Sequence, residues 1–190
     1  MLLPQDSDSQ FRFVPGPSLD APPCLVAGSP LPPMIHGIDH VNLVVSDLDR
    51  SVAFYTGVLG LRKTQDVTME GAWIEEIVRL PGVKGRVAFV EAPDGRVRIE
   101  LLQYVAPAGV AIPANSIANT LGLRHLAFRV SDIAALAQRL RAANVTLLSD
   151  PVKVPTGVAR FASGDKRLLY FLDPDGVLLE LAEYGDLTTA

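Results

Sequence analysis

One block of sequence occurs twice in this chain, and such a repeat means two copies of one supersecondary unit. The first copy reads Gly37-Ile-Asp-His40-Val-Asn-Leu-Val-Val-Ser46-Asp47-Leu48 and the second Gly122-Leu-Arg-His125-Leu-Ala-Phe-Arg-Val-Ser131-Asp132-Ile133. Gly, His, Ser and Asp keep the same mutual spacing in both. The ends repeat as well. Pro93-Asp94-Gly95 leads to Glu100-Leu101 and Tyr104, and Pro174-Asp175-Gly176 leads to Glu180-Leu181 and Tyr184. Two blocks recurring in the same order point to duplication, with one loop residue more in the first hairpin.

Each copy reads as a βαβββ unit. Val41 to Val45 and Leu126 to Val130 are short and rich in β-branched or bulky apolar residues, as strands are. Ser46 or Asp47, and Ser131 or Asp132, then offer side-chain oxygens to the orphan N–H groups of a helix start. Leu48, Val52, Tyr55 and Leu59 recur at helical spacing, with Gly60 placed to end the helix. Ile133, Leu136, Ala137 and Leu140 do the same, with Asn144 as the left-handed stop. Three strands follow in each copy: near 61–67, 86–91 and 96–104, then near 146–148, 168–172 and 177–184, with 158–161 a further candidate. Asp94-Gly95 and Asp175-Gly176 are hairpin-turn dipeptides. The expected class is α+β, with module one over 35–105, a linker over 106–120 carrying Pro107 and Pro113, and module two over 121–186.

Residues 1–34 stand apart, with eight prolines from Pro4 to Pro33 and no helical or strand period. Such a segment buries too little surface to offset its ordering entropy, which predicts a flexible leader. Met34 is either the true start or an internal residue after a disordered extension. A net charge of −4 speaks against a nucleic-acid partner, which needs a basic face. Cys24 is the only cysteine, so neither an intrachain disulfide nor a thiolate zinc site can form. Every apolar run breaks well short of the roughly 18 residues of a membrane span. No secretory signal is visible, and the expected location is cytoplasmic.

Period-two alternation assigns the faces of the strands. Val41, Leu43 and Val45 pack on the module's helix, so His40 and Asn42 point the other way. Leu126, Phe128 and Val130 leave His125 and Arg129 opposite. Val97, Ile99 and Leu101 turn Arg98 and Glu100 to the far side, and Leu179 and Leu181 do so for Glu180. Four ionisable residues thus lie on the faces that helices leave uncovered. If each sheet curves, His40, Glu100, His125 and Glu180 line one concavity. Two imidazoles and two carboxylates without thiolate suit Zn, Co, Ni, Mn or Fe(II). The ion offsets the cost of gathering two carboxylates in a partly dry pocket. His36 has no counterpart in the second copy and reads as structural.

Ile38-Asp-His40 through Phe54-Tyr55-Thr-Gly-Val-Leu-Gly60-Leu resembles the opening of the vicinal oxygen chelate superfamily, the glyoxalases, bleomycin-resistance proteins, extradiol dioxygenases and methylmalonyl-CoA epimerases. Gly122-Leu-Arg-His125 and Phe171-Leu-Asp-Pro-Asp-Gly176-Val-Leu-Leu-Glu180-Leu resemble its second module. The resemblance covers about Met34 to Tyr184. It implies an open eight-stranded, barrel-like sheet, a metal held at the four positions, and a homodimer in which some relatives build the site across chains.

Extradiol dioxygenases need only two His and one Glu, so Glu100 favours the isomerase and lyase branch. There the metal polarises a carbonyl or enolate oxygen and a carboxylate moves the proton on the adjacent carbon, with Glu180, and Glu100 in turn, as ligand and base. The stretch before His125 is closer to methylmalonyl-CoA epimerase than to lactoylglutathione lyase (glyoxalase I). The expected substrate is a small molecule such as an acyl-CoA or thiol conjugate. The alternatives are glyoxalase I, an Fe(II) extradiol dioxygenase, and a non-catalytic binder of bleomycin-resistance type. Arg98 and Arg129 either hold a substrate carboxylate or phosphate or pair with carboxylates of the cup. Trp73 to Leu80 reads as a short amphipathic helix, a lid or a cover for a sheet edge. Tyr104 and Tyr184 read as core or rim.

Overall fold

In module one β1 (His40–Val44), α1 (Leu48–Ala53), β2 (Arg62–Glu70), α2 (Ala72–Val78), β3 (Lys84–Glu91) and β4 (Arg98–Ala106) follow in order. Module two runs β5 (His125–Val130), α3 (Ile133–Ala142), β6 (Val152–Lys153), β7 (Asp165–Leu172) and β8 (Leu178–Gly185). The sheets have matching orders, β1-β4-β3-β2 and β5-β8-β7-β6. In each the first strand runs parallel to the last, and the others pair antiparallel. The α+β fold of two βαβββ modules is as expected, its eight strands divided into two four-stranded sheets.

This computed structural model describes residues 34–95, 97–111, 118–119, 121–155 and 164–185. The proline-rich leader before Met34, Cys24, linker residues 112–117 and the candidate strand at 158–161 lie outside them. The chain falls into two units, Met1–Gly37 and Ile38–Ala190, and every element above belongs to the second. His36, in the first, is exposed and in neither helix nor strand. Among the described residues no helix is long and apolar enough to cross a membrane.

Of the alternative caps, aspartate serves in both modules. Asp47 accepts from the Arg50 amide at 3.0 Å, and Asp132 from the Ala135 amide at 2.8 Å. After Ala53 the first helix widens into a π-helical turn over Phe54–Val58. The Thr56 hydroxyl takes the Val52 carbonyl at 2.7 Å, and the Leu59 amide reaches back to the Phe54 carbonyl. Gly60, at φ 78°, ends the turn where a side chain would be strained. Asn144, at φ 56°, follows α3 as expected.

Several boundaries differ from the sequence expectation. Residues 146–148 form no strand: Leu147 makes a single bridge to Phe171, and the edge strand comes later as β6. β2 is longer than expected and runs on past Val67 to Glu70, with Met69 buried and Thr68 and Glu70 exposed. β7 begins at Asp165, since its polar start is held by pairing with β8 and not by apolar pattern. The Trp73 to Leu80 helix is present as α2.

One core joins the modules. Val45, Leu48, Tyr55, Val90, Ile99 and Leu101 from the first pack with Ile133, Leu140, Leu169, Phe171, Leu179 and Leu181 from the second. The helix-covered faces of both sheets therefore share one interior. A smaller cluster of Met69, Ile74, Val83, Val87 and Leu102 lies under α2, on the opposite face of the first sheet.

The second hairpin turn locks onto the first helix. Asp175 accepts from the Ser46 hydroxyl at 2.5 Å and from Arg50 at 2.6 Å. Asp173 accepts the amides of Asp175 and Val177 at 2.9 and 2.8 Å, and the Tyr55 hydroxyl at 3.1 Å. Burial raises the Asp173 carboxyl above its ordinary value even though those donors pull it down. Burial, then the charge of Asp173, holds the Tyr55 phenol well above the usual range. A raised native pKa means the folded state holds the proton more tightly than the unfolded one. Its contribution to stability is fully present below about pH 4 and is lost as pH rises through the raised value. Asp173→Asn keeps an oxygen for the two amides and removes the titration. Denaturant melts of this variant at stepped pH are expected to show a flatter decline above about pH 4. An unchanged slope would refute the assignment.

Candidate metal centre

The four residues come together as two pairs, one on each sheet. In the first, His40 opens β1 and Glu100 lies on the neighbouring β4, with Nε2 and Oε2 3.4 Å apart. Register puts Glu100 beside Asn42, which donates its amide to Oε2 at 2.7 Å. His40 turns its Nδ1 to Asp39 at 2.7 Å and sets its ring edge-on to Phe89. In the second pair, His125 opens β5 and Glu180 lies on β8, with Nε2 and Oε2 3.3 Å apart. The other oxygen of Glu180 faces the Lys166 ammonium at 3.3 Å, and Tyr170 also hydrogen-bonds this carboxylate. Both pairs sit on faces turned from the shared core, because His40, Asn42, Glu100 and His125, Glu180 fall at the off-core positions of their strands.

The spacing suits a shared ion. Ligand atoms about 2.1 Å from one cation are about 3.0–3.4 Å from each other. The Nδ1 contact to Asp39 fixes the His40 ring with Nε2 toward Glu100, an outer-shell arrangement common at metal sites. The donor types of each pair, an imidazole and a carboxylate, suit a borderline divalent ion. Among the described residues of one chain, no three His, Cys, Asp or Glu gather closely enough to hold a metal.

The two carboxylates have different surroundings. The Glu180 side chain is 6% exposed and gripped at both oxygens, whereas that of Glu100 is 20% exposed. Its Oε1 has no partner among the described residues. Burial would lower the pKa of Lys166, but the Tyr184 hydrogen bond and the Glu180 charge outweigh it and leave the ammonium raised. Burial, then Glu180, raises the Tyr170 phenol.

Of the two arginines, Arg98 pairs with Asp39 at 2.7 Å, which is not one of the four, and lies over Phe89. Arg129 sits 5.4 Å from the centre of the Tyr184 ring. A groove of about 400 Å³ at the start of α3 is lined by Arg129, Ser131, Asp132, Leu136 and Arg139, and by none of the four. Sequence reading missed Lys166 and Tyr170. Extending the last alternation of β7 back from Tyr170 by twos reaches Lys166, but the charged start of the strand hid it.

The family model of the glyoxalase/bleomycin resistance protein/dioxygenase superfamily matches residues 37–181. The chain is 34% identical over 150 residues to a 2-epi-5-epi-valiolone epimerase of an Actinomyces species, covering 76% of this chain and 77% of that protein. It is 31% identical to a lactoylglutathione lyase of Salmonella typhimurium, covering 77% and 92%. To the mitochondrial methylmalonyl-CoA epimerase of Mus musculus it is 28% identical, covering 77% and 72%. A crystal structure of a glyoxalase family protein from Bacillus cereus aligns with a TM-score of 0.70 at 27% identity, over 83% of this chain and 99% of that one. With the duplicated fold, the matched pairs and relatives that include enzymes, this chain belongs to the glyoxalase/bleomycin resistance protein/dioxygenase superfamily.

Proposed function

We propose that this protein is a metal-dependent epimerase that moves a proton on a carbon next to a carbonyl, and that it works as a homodimer. The observation that carries the reading is the pair of His–Glu contacts at 3.4 and 3.3 Å, in equivalent places on two sheets. A pure binder has no need of four such residues. The relatives named as epimerases and as a lyase support the same proton chemistry.

The dimer follows from the half-sets. β1 and β5 are each the outer strand of their sheet, with one hydrogen-bonding edge unpaired among the described residues. Exposed apolar residues flank the histidines: Ile38 and Val44 beside His40, Leu123 beside His125. A two-fold partner laying its β5 edge along β1 joins His40 and Glu100 of one chain to the second pair of the other, and does so twice. A divalent ion bound there stabilises negative charge developing on the substrate oxygen. Glu180, tied to Lys166, orients and stays. Glu100, with one oxygen free of partners among the described residues, turns toward the substrate carbon and carries the proton.

Mixing two variants tests the shared site. His40→Ala and His125→Ala chains, each inactive alone, restore about a quarter of wild-type activity and metal content when co-refolded, because half the chains form mixed dimers with one intact site each. No recovery would place the site within one chain. Solvent-deuterium incorporation into methylmalonyl-CoA reads the chemistry, with the glutathione hemithioacetal of methylglyoxal as the second substrate. Glu100→Gln is expected to cut exchange by about 10³-fold or more with little loss of stability. Glu180→Gln removes the carboxylate that faces the Lys166 ammonium in a nearly dry site and is expected to destabilise the metal-free protein by about 3 kcal/mol. Intact exchange in Glu100→Gln would remove Glu100 from the role of proton carrier.

A further inference from the structure

We propose that the aromatic residue set against each carboxylate, Phe89 in module one and Tyr170 in module two, decides which glutamate carries the proton and which stays a metal ligand. Tyr170 is a positioning residue that fixes Glu180. Phe89, one oxygen short of it, leaves Glu100 able to turn. This division deepens the proton-transfer reading above and rests on it.

The duplication places the two rings in one position. Phe89 on β3 pairs in register with Glu100, and Tyr170 on β7 pairs in register with Glu180. The spacing from ring to glutamate differs only by the extra hairpin residue of the first module. Residues paired across antiparallel strands stand on the same face with Cβ atoms about 4.5–5.5 Å apart, so each ring adjoins its carboxylate. Each also lies against the imidazole of its own pair. The ring centres are 5.9 Å apart for Phe89 and His40, and 5.3 Å apart for Tyr170 and His125. Both aromatic residues are half-buried. Strand, histidine and glutamate are thus matched, and at this position the modules differ by a phenolic hydroxyl, the one group of either ring that donates a full hydrogen bond.

The two carboxylates differ where that oxygen acts. The Tyr170 hydroxyl hydrogen-bonds Glu180, whose oxygens also meet His125 and Lys166, each at 3.3 Å. An O–H donated to a carboxylate is charge-assisted and restricts its rotation. At Glu100 the His40 imidazole at 3.4 Å and the Asn42 amide at 2.7 Å meet the same oxygen, Oε2. Phe89 offers Oε1 no donor. The Phe89 ring is itself held, with the Arg98 guanidinium 4.9 Å from its centre and the His40 ring edge-on to it. A carboxylate that takes a proton from one place and returns it at another changes direction during the reaction, whereas one that orients a metal does not. The ring without a donor stands beside Glu100 and the ring with one beside Glu180, which is the arrangement that such a division needs.

Moving the single oxygen in each direction tests this on the full-length protein. Co(II) affinity is read by calorimetry and the ligand set by the cobalt visible spectrum. Exchange is followed with methylmalonyl-CoA and with the glutathione hemithioacetal of methylglyoxal. Tyr170→Phe is expected to weaken Co(II) binding about tenfold or more and to alter the spectrum, as loss of an outer hydrogen bond to a ligand does. Phe89→Tyr is expected to lower kcat for exchange about tenfold or more, with KM held within about twofold and Co(II) binding not weakened. A ring that serves packing alone would move the melting temperature and produce neither the spectral change nor the kcat–KM split. Co(II) affinity and spectrum unchanged in Tyr170→Phe overturn the positioning role of Tyr170, and an unchanged kcat in Phe89→Tyr overturns that of Phe89. Both results leave the metal reading intact when the wild-type protein binds Co(II) and exchanges deuterium. Co(II) binding without exchange of either substrate removes the proton-transfer reading and the role of Phe89 with it, while the Co(II) arm still decides that of Tyr170. A wild-type protein that takes up no Co(II) removes the metal reading and this division together.

Discussion

Strand side chains alternate between two faces, and in this chain one face of each sheet is committed to a common interior. Leu101, Ile99 and Val90 meet Leu179, Leu181 and Phe171 there, with Leu48, Tyr55, Ile133 and Leu140 from the helices between them. Once those residues are buried, the residues between them have no choice of direction. His40, Glu100, His125 and Glu180 are turned outward by the same hydrophobic burial that stabilises the fold. A one-residue slip of β4 or β8 would bury a carboxylate in the core and expose a leucine, so the register of each pair is strongly held.

That commitment has a consequence for assembly. Because the core faces meet each other inside the chain, the two His–Glu pairs lie on separate outer faces, each beside a strand that ends its sheet among the described residues. The turn bearing Asp173 and Asp175 reinforces this packing by holding Tyr55, Ser46 and Arg50 of the first module. Edge strands with exposed apolar flanks are normally protected or partnered. The homodimer proposed above would cover those edges and bring the two pairs together.

Duplication also shows where the modules have diverged. The first module keeps an apolar cluster of Met69, Val87 and Leu102 beneath α2 on its outer face, beside a glycine that leaves room for them. The second carries Lys166 and Arg129 around a tyrosine in the equivalent place. The carboxylates differ as well: Glu180 is met at both oxygens, and Glu100 by His40 and the Asn42 amide at one. In α2, Ile74 is the buried anchor while Trp73 and Ile77 stay exposed. That makes the helix a cover for the first sheet.

The sequence by itself determined the two modules, the α+β class and the facing of the four residues, whereas it led to the expectation of one concavity and not of two His–Glu pairs. These are local matters: a repeat is visible as spacing, and alternation with period two fixes direction without knowledge of the partner strand. The cap positions, at Ser46 or Asp47 and at Ser131 or Asp132, and Asn144 as a stop were equally legible, because each acts on its own neighbours, and the structure chose the aspartates. The edge strand β6 and the polar start of β7 were not, since cross-strand hydrogen bonds hold them where side-chain pattern says nothing. Only the tertiary structure decided that the pairs stay apart within a chain and that Lys166 reaches Glu180. Those relations join residues far apart in sequence through the packing of sheets and side chains, and no local period records which surfaces meet.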